Sequence, residues 1–160
     1  MKKIKVISII TTICIMDLIF FFSSQTREES ASVSRGLLEK IVEIVIRLIG
    51  GDKQLKKEVV SLMHDFIRTA AHFTIFALLG CSAAVMFSSN TGMRGKRLFF
   101  LTLAFCFVYA CSDEIHQIFV TGRSFQLSDV FTDTSGSLVG ILTVILIKLL
   151  FNKRKGADKI

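Results

Sequence analysis

The sequence predicts an all-α fold, a polytopic membrane four-helix bundle with one additional extracellular amphipathic helix. Hydrophobic residues make up 51% of the 160 residues, and the mean hydropathy is +0.59. Four apolar stretches are each close to the ~20 residues that a helix needs to cross a bilayer. The formal net charge of +7 comes from short basic clusters beside these stretches. That pattern is typical of cytoplasmic membrane flanks, so we expect membrane lipids as partners and no nucleic acid.

The predicted spans lie at about 6–24, 66–87, 98–120 and 130–151, within a single domain that comprises residues 1–160. The first span follows a basic start, as a signal peptide would. Its apolar stretch is longer than a usual signal-peptide core, and Ser23-Ser24-Gln25 is a poor cleavage site. We therefore interpret it as an uncleaved transmembrane helix.

Lysine and arginine residues in the flanks predict the orientation. They cluster at the N-terminus, between the second and third spans, and in the tail: Lys2, Lys3, Lys5, Arg94, Lys96, Arg97, Lys153, Arg154, Lys155 and Lys159. These three segments alternate along the chain and so lie on one side of the membrane. We expect a multi-pass protein of the cell membrane with both termini in the cytoplasm.

The segment of about 31–49, between the first two spans, has the pattern of an amphipathic helix. Its apolar residues recur at helical spacing. Its charged residues follow at successive i+4 steps on one face: Arg35, Glu39, Glu43 and Arg47. This predicts a helix on the outer membrane surface or over the bundle, more consistent with a packed lid than with a binding helix. Apolar residues from Leu55 to Phe66 predict a second helix that leads directly into the second span.

Polar residues inside the spans are concentrated at one depth. An ionisable side chain in hydrocarbon is costly and calls for a partner or a function. At about 1.5 Å per residue, the polar residues of the second, third and fourth spans lie near the outer ends. They are Arg68, His72, Asp113, Glu114, His116, Gln117 and Asp133. The inner halves of the spans contain almost no charge, so the sequence predicts one polar pocket that faces outward.

The fourth span combines an intramembrane carboxylate with small residues. Asp129 and Asp133 are four residues apart, and Asp133 shares its helix face with Gly136 and Gly140. The Gly136-x-x-x-Gly140 spacing permits the close approach of a neighbouring helix. We therefore expect the Asp133 face of this span to press against another helix.

These motifs together resemble the VanZ-like family. The residues that carry the resemblance are Ser112-Asp113-Glu114-Ile115-His116-Gln117-Ile118-Phe119, Gly122-Arg123, Asp129, Asp133, Gly136-x-x-x-Gly140, Arg68-x-x-Ala71-His72-Phe73 and Phe20-x-x-Ser23-Ser24-Gln25. Where the family often has proline before the Gly-Arg pair, this chain has Thr121. The resemblance implies a small bacterial membrane protein, and the founding member of the family is associated with teicoplanin resistance.

One hypothesis for the pocket is recognition. Arg68 and Arg123 would clamp a phosphate or carboxylate in a bidentate manner. Further contacts would come from His72, Gln117, Asp129 and Asp133. The ligand would be an envelope lipid, a lipid-linked cell-wall precursor or a glycopeptide. Binding would then alter glycopeptide susceptibility of the teicoplanin type.

The alternative is an intramembrane hydrolase or transferase that acts on a lipid-linked phosphate or ester. Its acid–base groups would be His116, Glu114, Asp113 and His72. The chain has no nucleophile elbow, P-loop or H-E-x-x-H motif. Asp113-Glu114-x-His116 is no well-known ligand spacing, so neither a metal nor another cofactor is predicted.

A structural role and transport are two further hypotheses for the polar residues of the spans. In the structural reading, Arg68 and His72 pair with carboxylates and hold the helices together. Transport ranks below recognition and catalysis, because the inner halves of the spans offer no charged relay across the membrane.

Overall fold

Over the residues that the structure describes, the protein is a bundle of four long helices. The computed structural model describes residues 2–26, 40, 42–46 and 52–157, and over these residues the fold is all-helical. The helices are α1 (Lys2–Ser23), α2 (Lys53–Thr91), α3 (Gly95–Gln117) and α4 (Leu127–Ala157). Each is long and apolar enough to cross a membrane, and the apolar part of α4 ends at Phe151. The predicted all-α membrane fold is therefore confirmed.

Successive helices run in opposite directions. The amide of Asn90, at the end of α2, donates to the hydroxyl of Ser8, near the start of α1, at 3.3 Å. The hydroxyl of Tyr109 in α3 donates to the carbonyl of Met16 in α1 at 2.6 Å. The ends of α1 and α3 therefore meet the start of α4 at one end of the bundle, which we call the site end. The opposite end, the basic end, carries Lys2, Lys3, Lys5, Arg94, Lys96 and Arg97.

The closest helix pair is α2 and α4. The backbone of Gly136 lies against the carbonyl of Phe73, and that of Gly140 lies against the carbonyl of Ala77. A Cβ atom at either glycine would collide with the facing backbone. This confirms that the Gly136-x-x-x-Gly140 face presses α4 against a neighbour, and it identifies α2 as that neighbour.

The bundle carries apolar side chains on its outside and carboxylates in its interior. Phe131 is 65% exposed, whereas Asp133, two positions along α4, is fully buried. In α3, Ile115 is exposed and the adjacent Glu114 is fully buried. A water-soluble bundle shows the reverse pattern. Apolar groups that face outward and ionisable groups that face the interior are what a lipid environment selects.

The second span and the helix expected before it form one continuous element. α2 begins after Asp52, whose Oδ1 accepts a hydrogen bond from the backbone N–H of Leu55 at 2.8 Å. Such a side chain satisfies one of the free N–H groups in the first turn of a helix. α2 ends at Gly92, whose φ of 72° is left-handed. The predicted helix leading into the second span is therefore confirmed.

Only part of the predicted outer amphipathic segment falls within the described residues. Residues 42–46 are helical, and Val42 and Ile46 pack against Val59 and Val60 of α2. The other residues of the segment, 31–39, 41 and 47–49, lie outside the described residues. The described turn therefore packs on the early part of α2.

Candidate functional site

Polar side chains from all four helices and from the 118–126 loop lie together at the site end. The main ones are Ser23, Arg68, His72, Asp113, Glu114, Gln117, Arg123, Asp129 and Asp133. They come together because α1 and α3 end where α4 begins, while α2 passes alongside.

Asp113 is at the centre of a short hydrogen-bond network. Its side chain is buried, and the residue is only 4% exposed. Its Oδ2 atom accepts hydrogen bonds from the Ser23 hydroxyl at 2.8 Å and from the Gln117 amide at 3.1 Å. Its Oδ1 atom is buried and has no hydrogen-bond partner among the described residues. One oxygen of this carboxylate is thus held in place, while the other has no partner.

Arg123 extends this network from the loop. Its Nη1 atom donates to Gln117 Oε1 at 3.2 Å, and its Nη2 atom lies 3.5 Å from the carbonyl of Phe22. The preceding Gly122 has a φ of 79°, a conformation that glycine adopts at little cost and that makes the loop turn possible. Burial, and then the nearby Arg68 guanidinium, lower the pKa of Arg123 below its ordinary value. An arginine nevertheless remains charged at neutral pH.

Two acid–base pairs connect α2 and α4. Arg68 Nη2 lies 3.1 Å from Asp129 Oδ2. One turn further into the bundle, His72 Nδ1 lies 3.6 Å from Asp133 Oδ1, which is longer than a hydrogen bond. Neither oxygen of the fully buried Asp133 has a hydrogen-bond partner among the described residues. A purely structural role predicts such contacts between helices. The His72–Asp133 pair, however, lacks a hydrogen bond.

The four residues proposed as acid–base groups do not all meet. His72 and Asp113 lie together with Asp133: each offers one potential ligand atom, and these atoms lie within 4.8 Å of one another. Glu114 instead accepts a hydrogen bond from the backbone N–H of Gln126 at 2.9 Å and so ties the loop to α3. His116 stacks on Phe20 of α1, with ring centroids 4.3 Å apart.

Two cavities meet at Arg68 and His72. The polar cavity, of about 290 Å³, lies between α2 and α4 and is also lined by Asp129 and Asp133. The apolar cavity, of about 690 Å³, lies between α1 and α2. Its walls are mostly aliphatic and aromatic: Leu18, Ile19, Phe22, Ile67, Ile75 and Leu78. Its polar end is formed by Gln25, Arg68, His72 and Arg123.

The end of α1 contributes residues that were not among the predicted site residues. Ser23 bonds Asp113, Phe22 supplies its carbonyl to Arg123, and Ser24 lies 3.1 Å from Nε2 of His116. The signal for them was the Phe20-x-x-Ser23-Ser24-Gln25 motif. That motif entered only through the family resemblance, because hydroxyl side chains near a helix end have no distinctive spacing.

Comparisons with known proteins agree with the resemblance. The VanZ/LLP1 family model matches residues 8–149, a range that includes every predicted site residue. No curated protein and no solved structure matches the chain.

Proposed function

We propose that this chain, which belongs to the VanZ/LLP1 family, recognises the head group of an anionic envelope lipid or lipid-linked cell-wall precursor at its site end. The observation that carries the proposal is the apolar cavity of about 690 Å³ that ends at two arginines. An alkyl chain would lie along Leu18, Ile67 and Leu78. The anionic head group would then reach Arg68 and Arg123.

The two guanidinium groups favour an anion between them. Arg68 and Arg123 both line the polar end of the apolar cavity, and they also flank a cleft of about 10 Å³ that is too small for a phosphate. Like charges that are partly buried repel one another, and a phosphate that bridges them relieves this repulsion. Guanidinium groups also match phosphate oxygens in bidentate geometry. The buried Nε of Arg123 has no hydrogen-bond partner among the described residues, so this donor is left uncompensated.

A purely structural role explains fewer of the features of the site end than lipid recognition does. It explains the Arg68–Asp129 contact, because the pair joins α2 to α4. It does not explain a large apolar cavity beside charged groups, or buried Arg123 and Asp133 atoms that lack partners among the described residues. Such atoms cost free energy that apolar packing would not.

The orientation is part of the proposal. Under the positive-inside rule, the basic end with Lys2, Lys5 and Arg97 lies in the cytoplasm. The site end then lies just beneath the outer surface of the cell membrane, and both termini are cytoplasmic. In that position the cavities are open to lipids of the outer leaflet. We also propose that an occupied site alters the exposure of a lipid-linked target, and hence susceptibility to teicoplanin-type glycopeptides.

Lipid binding to the purified full-length protein tests recognition. Native mass spectrometry compares short-chain phosphatidic acid with phosphatidylcholine, which is zwitterionic. A hydrogen bond to a charged group contributes about 1.5–3 kcal/mol, so Arg123→Gln is expected to weaken phosphatidic acid binding by about tenfold or more. Arg97→Gln, which removes an exposed arginine at the basic end, is the matched control and should bind as the wild type. Equal binding of the two lipids to the wild type refutes the proposal.

Hydrolysis of a lipid phosphate monoester is the second candidate function. The proximity of His72 to Asp133 beside the polar cavity favours it. Water would lose a proton to the imidazole of His72 as its oxygen attacks phosphorus. The P–O bond to the lipid alcohol would break, and the alcohol oxygen would take up that proton, so that inorganic phosphate and the free alcohol form. Phosphate release from phosphatidic acid that His72→Ala abolishes supports this function, and no release by the wild type excludes it for this substrate.

A further inference from the structure

Three side chains from three helices form a compact group of metal-ligand type. They are His72 of α2, Asp113 of α3 and Asp133 of α4, and one potential ligand atom of each lies within 4.8 Å of the others. Asp113 is 4% exposed and Asp133 is fully buried. We propose that these three side chains bind one divalent transition-metal ion of the Zn²⁺ or Mn²⁺ type.

The unpartnered atoms of this group point to a cation. Among the described residues, both oxygens of Asp133, Oδ1 of Asp113 and Nδ1 of His72 are buried without a hydrogen-bond partner. A buried carboxylate without compensation is strongly unfavourable. The nearest arginines have other contacts, since Arg68 pairs with Asp129 and Arg123 donates to Gln117. A divalent ion compensates both carboxylates at once.

The donor set matches the coordination chemistry of zinc and manganese. Imidazole nitrogen suits zinc, and carboxylate oxygen suits both zinc and manganese. Bonds of about 2.1 Å at tetrahedral angles place ligand atoms about 3.4 Å apart. The distance of 3.6 Å between His72 and Asp133 is close to that value. The ligand atom of Asp113 lies within 4.8 Å of the other two, so the proposal requires this side chain to move toward them.

The proposed ion has access to the cavities of the site end. Three protein ligands leave at least one coordination position open, as in zinc sites that hold water or a substrate. His72 and Asp133 both line the polar cavity, and His72 also lines the apolar cavity. A phosphate oxygen held by Arg68 would therefore lie within reach of the open position. The three protein ligands hold the ion without any lipid, so this inference goes beyond lipid recognition and does not depend on it.

Metal binding is measured on the full-length protein, purified in detergent and stripped with a chelator. Isothermal titration with Zn²⁺, Mn²⁺, Mg²⁺ and Ca²⁺ is followed by elemental analysis of the washed protein. The expected result is one Zn²⁺ or Mn²⁺ per chain, bound in preference to Mg²⁺ and Ca²⁺. No binding, or equal affinity for all four ions, overturns the proposal.

Substitutions test whether the ion binds at these three residues. Changes in residues that only orient metal ligands weaken affinity by about 10- to 100-fold, so His72→Gln and Asp133→Asn should each weaken it by about 100-fold or more. The matched controls are His116→Gln, which changes a different imidazole at the site end, and Asp17→Asn, which changes an exposed carboxylate of α1. The controls should retain wild-type affinity. Loss of binding in the controls, or retention in His72→Gln, contradicts the assignment.

A second measurement needs no variant, because removal of a buried carboxylate can impair folding. The wild-type protein is loaded with Co²⁺, and its visible absorption is recorded before and after addition of Zn²⁺. Bands of low-symmetry Co²⁺ that Zn²⁺ removes support the site, and a spectrum equal to that of free Co²⁺ overturns it. All metal titrations omit lipid, and lipid binding is measured separately with a chelator present. Failure of one proposal is therefore distinguishable from failure of the other.

Discussion

His72 Nδ1 lies 3.6 Å from Asp133 Oδ1, and this contact depends on the close approach of two helices next to it. Phe73 follows His72 directly, and its carbonyl lies against Gly136, three residues beyond Asp133. The small residue brings the two backbones together, and the acid–base pair lies beside that contact. The distance between His72 and Asp133 therefore depends on the packing of α2 and α4.

Gly136→Ala tests this dependence. The added Cβ collides with the carbonyl of Phe73, so α4 must move away from α2. Overpacking of a core costs about 1–3 kcal/mol, and we expect a corresponding loss of stability. Thermal unfolding followed by circular dichroism measures the effect, with Val139→Ala on an exposed position of α4 as the control. A Gly136→Ala protein that unfolds at the wild-type temperature contradicts this account.

The Arg68–Asp129 pair is expected to restrain ligand binding. The Asp129 carboxylate already contacts the Arg68 guanidinium, so a phosphate that binds Arg68 would compete with this carboxylate. Asp129→Asn should therefore tighten binding of short-chain phosphatidic acid, whereas Arg68→Gln should weaken it by about tenfold or more.

Titration of both variants by native mass spectrometry measures the two effects side by side. Weaker binding in Asp129→Asn would mean that the carboxylate supports the ligand instead of competing with it.

The apolar cavity predicts a dependence on chain length. For short-chain lipids that bind as monomers from water, each buried methylene contributes about 0.8 kcal/mol, so affinity should rise about fourfold per methylene until the chain fills the cavity. Ala71 lines this cavity, and Ala71→Phe should abolish the dependence. Ala104→Phe, at an exposed position of α3, should preserve it. Binding of a homologous series of phosphatidic acids is the measurement, and the same slope in both variants would exclude the cavity as the binding site for the chain.

The orientation predicts which end of the bundle a reagent can reach in intact cells. The four native cysteines, Cys14, Cys81, Cys106 and Cys111, are first replaced by alanine. A membrane-impermeant maleimide should then label Ser124→Cys in intact cells, because Ser124 is exposed at the site end. Thr91→Cys, exposed at the basic end, should be labelled only after permeabilisation. The reverse pattern would place the site end in the cytoplasm.

Hydropathy and helical spacing predict the four helices and the end at which their polar groups gather. Both signals are local, since they depend on the order of residues along one helix. The face that Asp133 shares with Gly136 and Gly140 was predictable for the same reason.

The partners of these groups were not predictable, because they depend on how each helix is rotated relative to its neighbours. Glu114 bonds the backbone of Gln126, and His116 turns toward Phe20, although both lie within four residues of Asp113. The grouping of His72, Asp113 and Asp133 requires three helices to be packed at once. No spacing along the sequence encodes it.

We propose that the head group of an anionic amphiphile lies between Arg68 and Arg123. An experimental structure of the full-length protein with short-chain phosphatidic acid would show where the phosphate binds. The phosphate is expected within hydrogen-bond distance of both guanidinium groups, with the alkyl chain in the apolar cavity. Phosphate bound instead at the basic end, beside Arg94 and Lys148, would contradict it.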